Sequence, residues 1–177
     1  MRTTRRSRLT AAAVLLIASA ALVAQSVPAQ ATLPPMTTAT KAVTRAPAGF
    51  PAVVGIRVGA HPTYDRIVVD INGPAPGYRV GYVAHVYRDP SGFPVTLSGA
   101  ADLQVTLKPA FAHNISSGRS CLLTPSRMLF NYSAIREYRV VGDFEGVVSI
   151  GVGARRLAPF RVFTLTSPTR IVIDIAH

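Results

Sequence analysis

A chain of 177 residues accommodates one domain with appendages. Its single cysteine, Cys121, excludes an internal disulfide, so the fold must be held by its core. Nineteen basic against eight acidic residues give a formal charge of +11, with the arginines spread rather than clustered. That favours anionic surfaces or polymers over nucleic acid as partners.

The first 31 residues read as a secretory signal peptide. Arg2, Arg5, Arg6 and Arg8 form a basic start, and Ala11 to Val23 an apolar stretch too short for a comfortable membrane span. Ala29-Gln30-Ala31 is a small-residue cleavage site. Arg8 stands where a twin-arginine signal prefers an apolar residue, so ordinary secretory export is expected, with an uncleaved anchor as the alternative. Cys121 lies far from the signal, which excludes a lipid-anchored cysteine there. Without the four leader arginines, 15 basic and 8 acidic residues remain, a charge of +7. Arginine outnumbers lysine 17 to 2, and with abundant alanine this points to a bacterium of high GC content.

Residues 32–51 are rich in Thr, Ala and Pro, without helical or strand period, and read as a flexible, partly extended tether. From Ala52 the pattern turns to short β segments with turn punctuation. Val53 to Val58 is the first and Arg66 to Asn72 the second. Gly73-Pro74-Ala75-Pro76-Gly77 breaks the chain before Tyr78 to Tyr87. Asp89-Pro90-Ser91-Gly92 is a turn, since Pro presets φ and Gly tolerates positive φ. Val95 to Leu97 and Leu103 to Leu107 follow. Residues 109–133 lack a clear period and read as a long loop, with a short helix near Ser126 to Phe130. Ile135 to Gly142, Val147 to Val152, Phe160 to Thr166 and Arg170 to Ile175 complete the set, the last two joined tightly through Thr166-Ser167-Pro168-Thr169. Eight to nine short strands predict an all-β fold, a sandwich or partly open barrel.

Two of these strands nearly repeat each other. Arg66-Ile67-Val68-Val69-Asp70-Ile71 and Arg170-Ile171-Val172-Ile173-Asp174-Ile175 both place three β-branched residues on one face and Arg, Val, Asp on the other. As antiparallel neighbours they would set Arg66 opposite Asp174 and Arg170 opposite Asp70, pairs contributing roughly 0.2–1 kcal/mol each. The alternative use is ligand binding, Arg66 or Arg170 meeting a carboxylate with its two-pronged guanidinium. Gly142-Asp143-Phe144-Glu145-Gly146 is the second candidate. An aromatic between two carboxylates suits a sugar ring, Phe144 stacking and Asp143 and Glu145 accepting hydroxyl bonds. The same residues also suit a plain hairpin turn with Phe144 in the core. A glycosidase pair at Asp143 and Glu145 lacks any further sign of a cleft.

Other chemistry finds little support. Arg155-Arg156 after Gly151-Val152-Gly153 is no phosphate loop, because no helix follows. Cys121 and His113 share the irregular loop without a nucleophile motif. The four histidines have no metal-ligand spacing. The expectation is a protein without cofactor, metal or catalytic residues.

Four segments in order resemble the AMIN domain and its actinobacterial AMIN-like relatives. They are Tyr64-Asp65-Arg66-Ile67-Val68-Val69-Asp70, Pro76-Gly77-Tyr78-Arg79-Val80, Val141-Gly142-Asp143-Phe144-Glu145-Gly146-Val147-Val148, and Phe160 to Ile175. The likeness runs from Val53 to Ile175 and skips residues 109–133, so residues 52–177 are expected to form the domain. The resemblance implies a non-enzymatic β module of the cell envelope, exported and extracellular or wall-associated, that binds peptidoglycan or another anionic wall polymer. No integral membrane span is expected after signal cleavage. The family's modules are attached to cell-wall amidases and secretins. Here no catalytic domain is expected behind His177, which leaves wall association for its own sake. The alternative is an adaptor that binds an envelope protein through a sheet edge or the 109–133 loop.

Overall fold

The structure is a computed structural model that describes residues 32–177; the expected signal peptide and its cleavage site lie outside the described residues. Twelve strands follow in chain order: β1 (Lys41–Val43), β2 (Ala52–Ala60), β3 (Tyr64–Asn72), β4 (Gly77–Val83), β5 (Val86–Tyr87), β6 (Pro94–Val95), β7 (Ala101–Lys108), β8 (Arg127–Leu129), β9 (Ile135–Phe144), β10 (Val147–Ala154), β11 (Phe160–Thr166) and β12 (Thr169–Ala176). They form a six-stranded sheet, β1-β4-β7-β10-β9-β8, a four-stranded sheet, β11-β12-β3-β2, and the β5-β6 hairpin. Every pairing is antiparallel. The two large sheets face each other as an open sandwich, as the strand count predicts, and no barrel closes.

Period-two patterning builds the core. Ile67, Val69 and Ile71 of β3 and Ile171, Ile173 and Ile175 of β12 are buried, facing Val80, Leu103, Val105, Leu107, Val148, Ile150 and Val152 of the six-stranded sheet. Alternation puts every second β-branched residue into one shared apolar layer. A smaller core lies outside it. Val86, Val95 and Leu97 cover Val141, on the outer face of the six-stranded sheet. Glycines make that docking possible: a Cβ at Gly153 would collide with the Ser98 carbonyl oxygen, and one at Gly142 with the Asp89 carboxylate.

Three findings differ from the sequence expectations. The strands exceed eight or nine because the run 78–87 is two strands, and because β1 and β8 are too short to show a period. The proposed helix near Ser126 to Phe130 is strand β8, paired with β9 from Arg127↔Arg139 to Leu129↔Glu137. Five residues are too few for a stable helix, whereas the edge of β9 offers ready hydrogen-bond partners. The segment expected to be a free tether is docked at its centre. Thr37 exchanges backbone bonds with Phe160 of the four-stranded sheet, while β1 pairs with β4 of the six-stranded one. Residues 37–45 therefore form a strap that joins both sheets. Arg45 fastens its end, donating to the Pro76 carbonyl at 2.8 Å and the Thr164 hydroxyl at 3.1 Å.

Residues 109–133 are long and irregular, as expected, but tied down. Phe111 and Val53 bond through Val53 N–H and Phe111 C=O, Leu123 N–H donates to Val54 C=O, and the Thr124 hydroxyl accepts from Ile56 N–H. The loop thus covers the edge of β2 that the β3 pairing leaves open.

Two buried carboxylates hold loops to strands. Asp65 accepts from the N–H groups of Ala134 and Ile135 at 2.6 and 2.9 Å. Glu137 accepts from Arg127 Nε at 2.6 Å and from Ser98 N–H at 2.8 Å. Burial pushes the Glu137 carboxyl up, but the bonds from Arg127 and Ser98 outweigh it and hold the group below the usual glutamate range. Folded protein then binds fewer protons at this site than unfolded chain. Its contribution is full above the unfolded value of about 4.3 and is lost as pH falls through the lower folded value. Glu137→Gln is expected to flatten the acid limb of a urea-midpoint-versus-pH profile; an unchanged acid limb would show that other carboxylates set it.

Candidate functional site

The outer face of the four-stranded sheet carries the charged half of the near-repeat. The register is the one the repeat predicts: Arg66 lies opposite Asp174 and Arg170 opposite Asp70. Only the first couple forms an ion pair. Arg66 Nε and Nη2 reach the two Asp174 oxygens at 2.6 and 2.9 Å, and Arg161 Nε reaches Oδ2 at 2.7 Å. Asp174 is wholly buried between them. The bond to Asp174 raises the Arg66 guanidinium above its already high ordinary value, against the opposing effect of partial burial. Asp70 instead takes a two-pronged bond from Arg57, at 2.7 and 2.6 Å. Arg57 reaches Asp70 diagonally from β2, where Gly55 is the register partner, and Arg170 is left with one bond from Nε to the Pro168 carbonyl.

Aromatic rings floor this cluster. The Arg66 guanidinium lies 5.2 Å from the Tyr64 ring centre and 5.4 Å from that of Phe163, and Arg161 lies 5.2 Å from Tyr64. Between the charges runs an apolar row, Phe163–Val172–Val68, matched by register across three strands. It buries Val172 on a face the sequence marks as charged. Arg66 and Arg161 share the carboxylate Asp174, Arg57 and Asp70 cancel, and Arg170 adds a charge with no carboxylate bonded to it. The face is cationic, and two of its guanidiniums are fixed in place by a buried anion.

Arg161, Tyr64 and Phe163 are absent from the sequence-based candidates. Counting back from the tight turn at Thr166 and Thr169 places Arg161 opposite Asp174, so the hairpin itself held the signal.

Asp143, Phe144 and Glu145 lie elsewhere, at the end of β9 and the turn into β10. Glu145 and Gly146 have φ of 50° and 74°, the pattern of a two-residue hairpin turn. Phe144 is 46% exposed rather than folded into the core. Asp143 Oδ2 sits 2.6 Å from His113 Nδ1, so this carboxylate anchors the long loop. Asp143 and Phe144 point to opposite sides of the strand, so the three residues do not converge on one ligand position.

Among the described residues no group of three or more His, Cys, Asp or Glu is placed to hold a metal ion, and no helix is long and apolar enough to cross a membrane. In comparison with known proteins, the family model described as the AMIN-like domain matches residues 51–177. No curated protein and no solved structure matches the chain.

Proposed function

The chain belongs to the AMIN-like domain family, and on that footing we propose that it is an exported, non-catalytic module that binds the cell wall, with peptidoglycan as its ligand. Membership supports a cell-envelope association; the ligand and the face that meets it are our reading. The observation that carries it is the cationic outer face of the four-stranded sheet. There Asp174 fixes Arg66 and Arg161 over Tyr64 and Phe163, and Arg170 extends the charge along β12. Wall stem peptides and wall polymers are rich in carboxylate or phosphate, the groups a planar guanidinium grips with two parallel bonds. Phe144, exposed at the β9–β10 turn with Glu145 beside it, remains a separate candidate contact for a sugar ring.

Arg170 is the clean probe, because its one bond is to the Pro168 carbonyl and no buried carboxylate depends on it. Protein and the Arg170→Gln variant are incubated with purified sacculi, stripped of accessory anionic polymers and unstripped, at low and high salt. Binding to stripped sacculi that survives salt, and falls about tenfold in the variant with unchanged melting temperature, is expected. Binding only to unstripped sacculi at low salt would reduce the proposal to charge attraction. Absence of binding in every arm would transfer the function to the adaptor reading.

A further inference from the structure

The opposite side of the sandwich carries a trough that the arginine face does not use. On β7 the outward residues are Asp102, Gln104, Thr106 and Lys108, alternating with the buried Leu103, Val105 and Leu107. Register sets Val83, Gly81, Arg79 and Gly77 of β4 beside them. Three clefts follow one another along this pair of strands and share residues. The first, about 500 Å³, is lined by Arg79, Thr106 and Lys108 against the strap residues Ala42 to Arg45. A second of about 170 Å³ shares Arg79 and Thr106 and reaches Gln104. The third, about 560 Å³, holds Asp102, His85 and Leu157. The strap forms one wall, and the β5–β6 hairpin with its following turn closes the far end.

The floor is polarised. Lys108 and Arg79 put cations at one end, Asp102 a carboxylate at the other, and Thr106 and Gln104 supply donors and acceptors between. Lys108 and Asp102 are six residues apart on one strand, about 20 Å at ~3.3 Å per residue. Burial pushes the Asp102 carboxyl up; nearby His85 eases this and Glu137 adds to it, so a cation beside Asp102 would relieve an existing cost. Tyr78 lines the first cleft with the Arg45 guanidinium 5.8 Å from its ring centre, and Tyr82 lines the other two with its hydroxyl bonded to the Ala158 backbone.

We infer that this trough binds an extended peptide of about six residues, its free carboxylate at Lys108 and Arg79 and its free ammonium at Asp102. An extended backbone offers amide groups at the spacing of Thr106 and Gln104, and its two termini match the two charged ends. The inference goes beyond wall binding through the arginine face and does not depend on it, because the two surfaces lie on opposite sides of the sandwich.

The test is calorimetric titration of the protein with a hexapeptide of alternating serine and alanine. It is used with both ends free, with the amine acetylated, and with the carboxylate amidated. Binding of the free peptide, about tenfold weaker after either block, is expected. Lys108→Gln should shrink the penalty of amidation, because Arg79 still holds part of the charge, and keep that of acetylation in full; Asp102→Asn should abolish the penalty of acetylation and keep that of amidation. Equal binding of all three peptides, no binding of the free one, or penalties that ignore the two substitutions would overturn it. None of these results touches the Arg170→Gln sacculus experiment, so the two readings fail separately.

Discussion

Replacing Arg66 and Arg161 together by methionine is expected to destabilise the domain by about 3–5 kcal/mol, far more than either change alone. The reason is the position of Asp174. Its carboxylate is wholly buried on a sheet face, and its described side-chain partners are Arg66 and Arg161. With one guanidinium left the charge keeps a partner; with neither it is buried and unpaired, the costly case. Adding Asp174→Val to the double variant should recover most of the loss, since Val suits the strand and removes the stranded charge. Urea denaturation of the singles, the double and the triple measures it. A double variant no worse than the sum of two surface changes would mean that water or backbone relaxes around Asp174. The same ledger explains why Arg66, the more conspicuous arginine in the sequence, makes a poor binding probe: its removal would confuse lost stability with lost affinity.

Phe160→Ala is expected to cost about 3–5 kcal/mol, the usual range for a fully buried aromatic, and also to loosen the strap. Phe160 is wholly buried, its ring edge-on to Tyr82 at 5.7 Å, with the Lys41 ammonium 4.6 Å from its centre. Its backbone exchanges both bonds with Thr37 at 3.0 Å. One residue thus ties the strap, the edge of β11 and the inner face of β4. Hydrogen exchange should show protection falling at Thr37 and across Lys41–Val43 beyond the loss at β7 or β10. A uniform fall would show that the β1–β4 pairing holds the strap without help from Phe160.

Much of this arrangement is legible in the chain. The alternation in β3 and β12 gives the core face residue by residue. Their matching Arg and Asp positions give the register, because two antiparallel copies of one charge pattern fit best where opposite signs meet. The tight Thr166–Thr169 turn makes β11 and β12 a hairpin, and with it fixes Arg161 against Asp174. Alternation in β7 likewise marks Asp102, Gln104, Thr106 and Lys108 as one outward row. All of these are local patterns, or pairings of two local patterns, and the physics that makes them acts over a few residues.

What the sequence leaves open depends on which pieces meet. Asp70 faces Arg170 by register yet bonds Arg57 of the strand on its other side. Lys41–Val43 has no strand period of its own and becomes a strand because β4 presents an unpaired edge. Arg127–Leu129 does so for the edge of β9. The trough exists only where the strap, two strands and a hairpin from separate parts of the chain stand side by side. The sequence by itself determined the β class and the core faces, since each follows from side-chain period along a strand; it gave the Arg66–Asp174 register only on the condition that β3 and β12 pair, which the structure supplies. The tertiary structure alone decided which charges are spent on one another, which edges are covered and where open clefts remain, since these depend on contacts between residues up to a hundred or more positions apart.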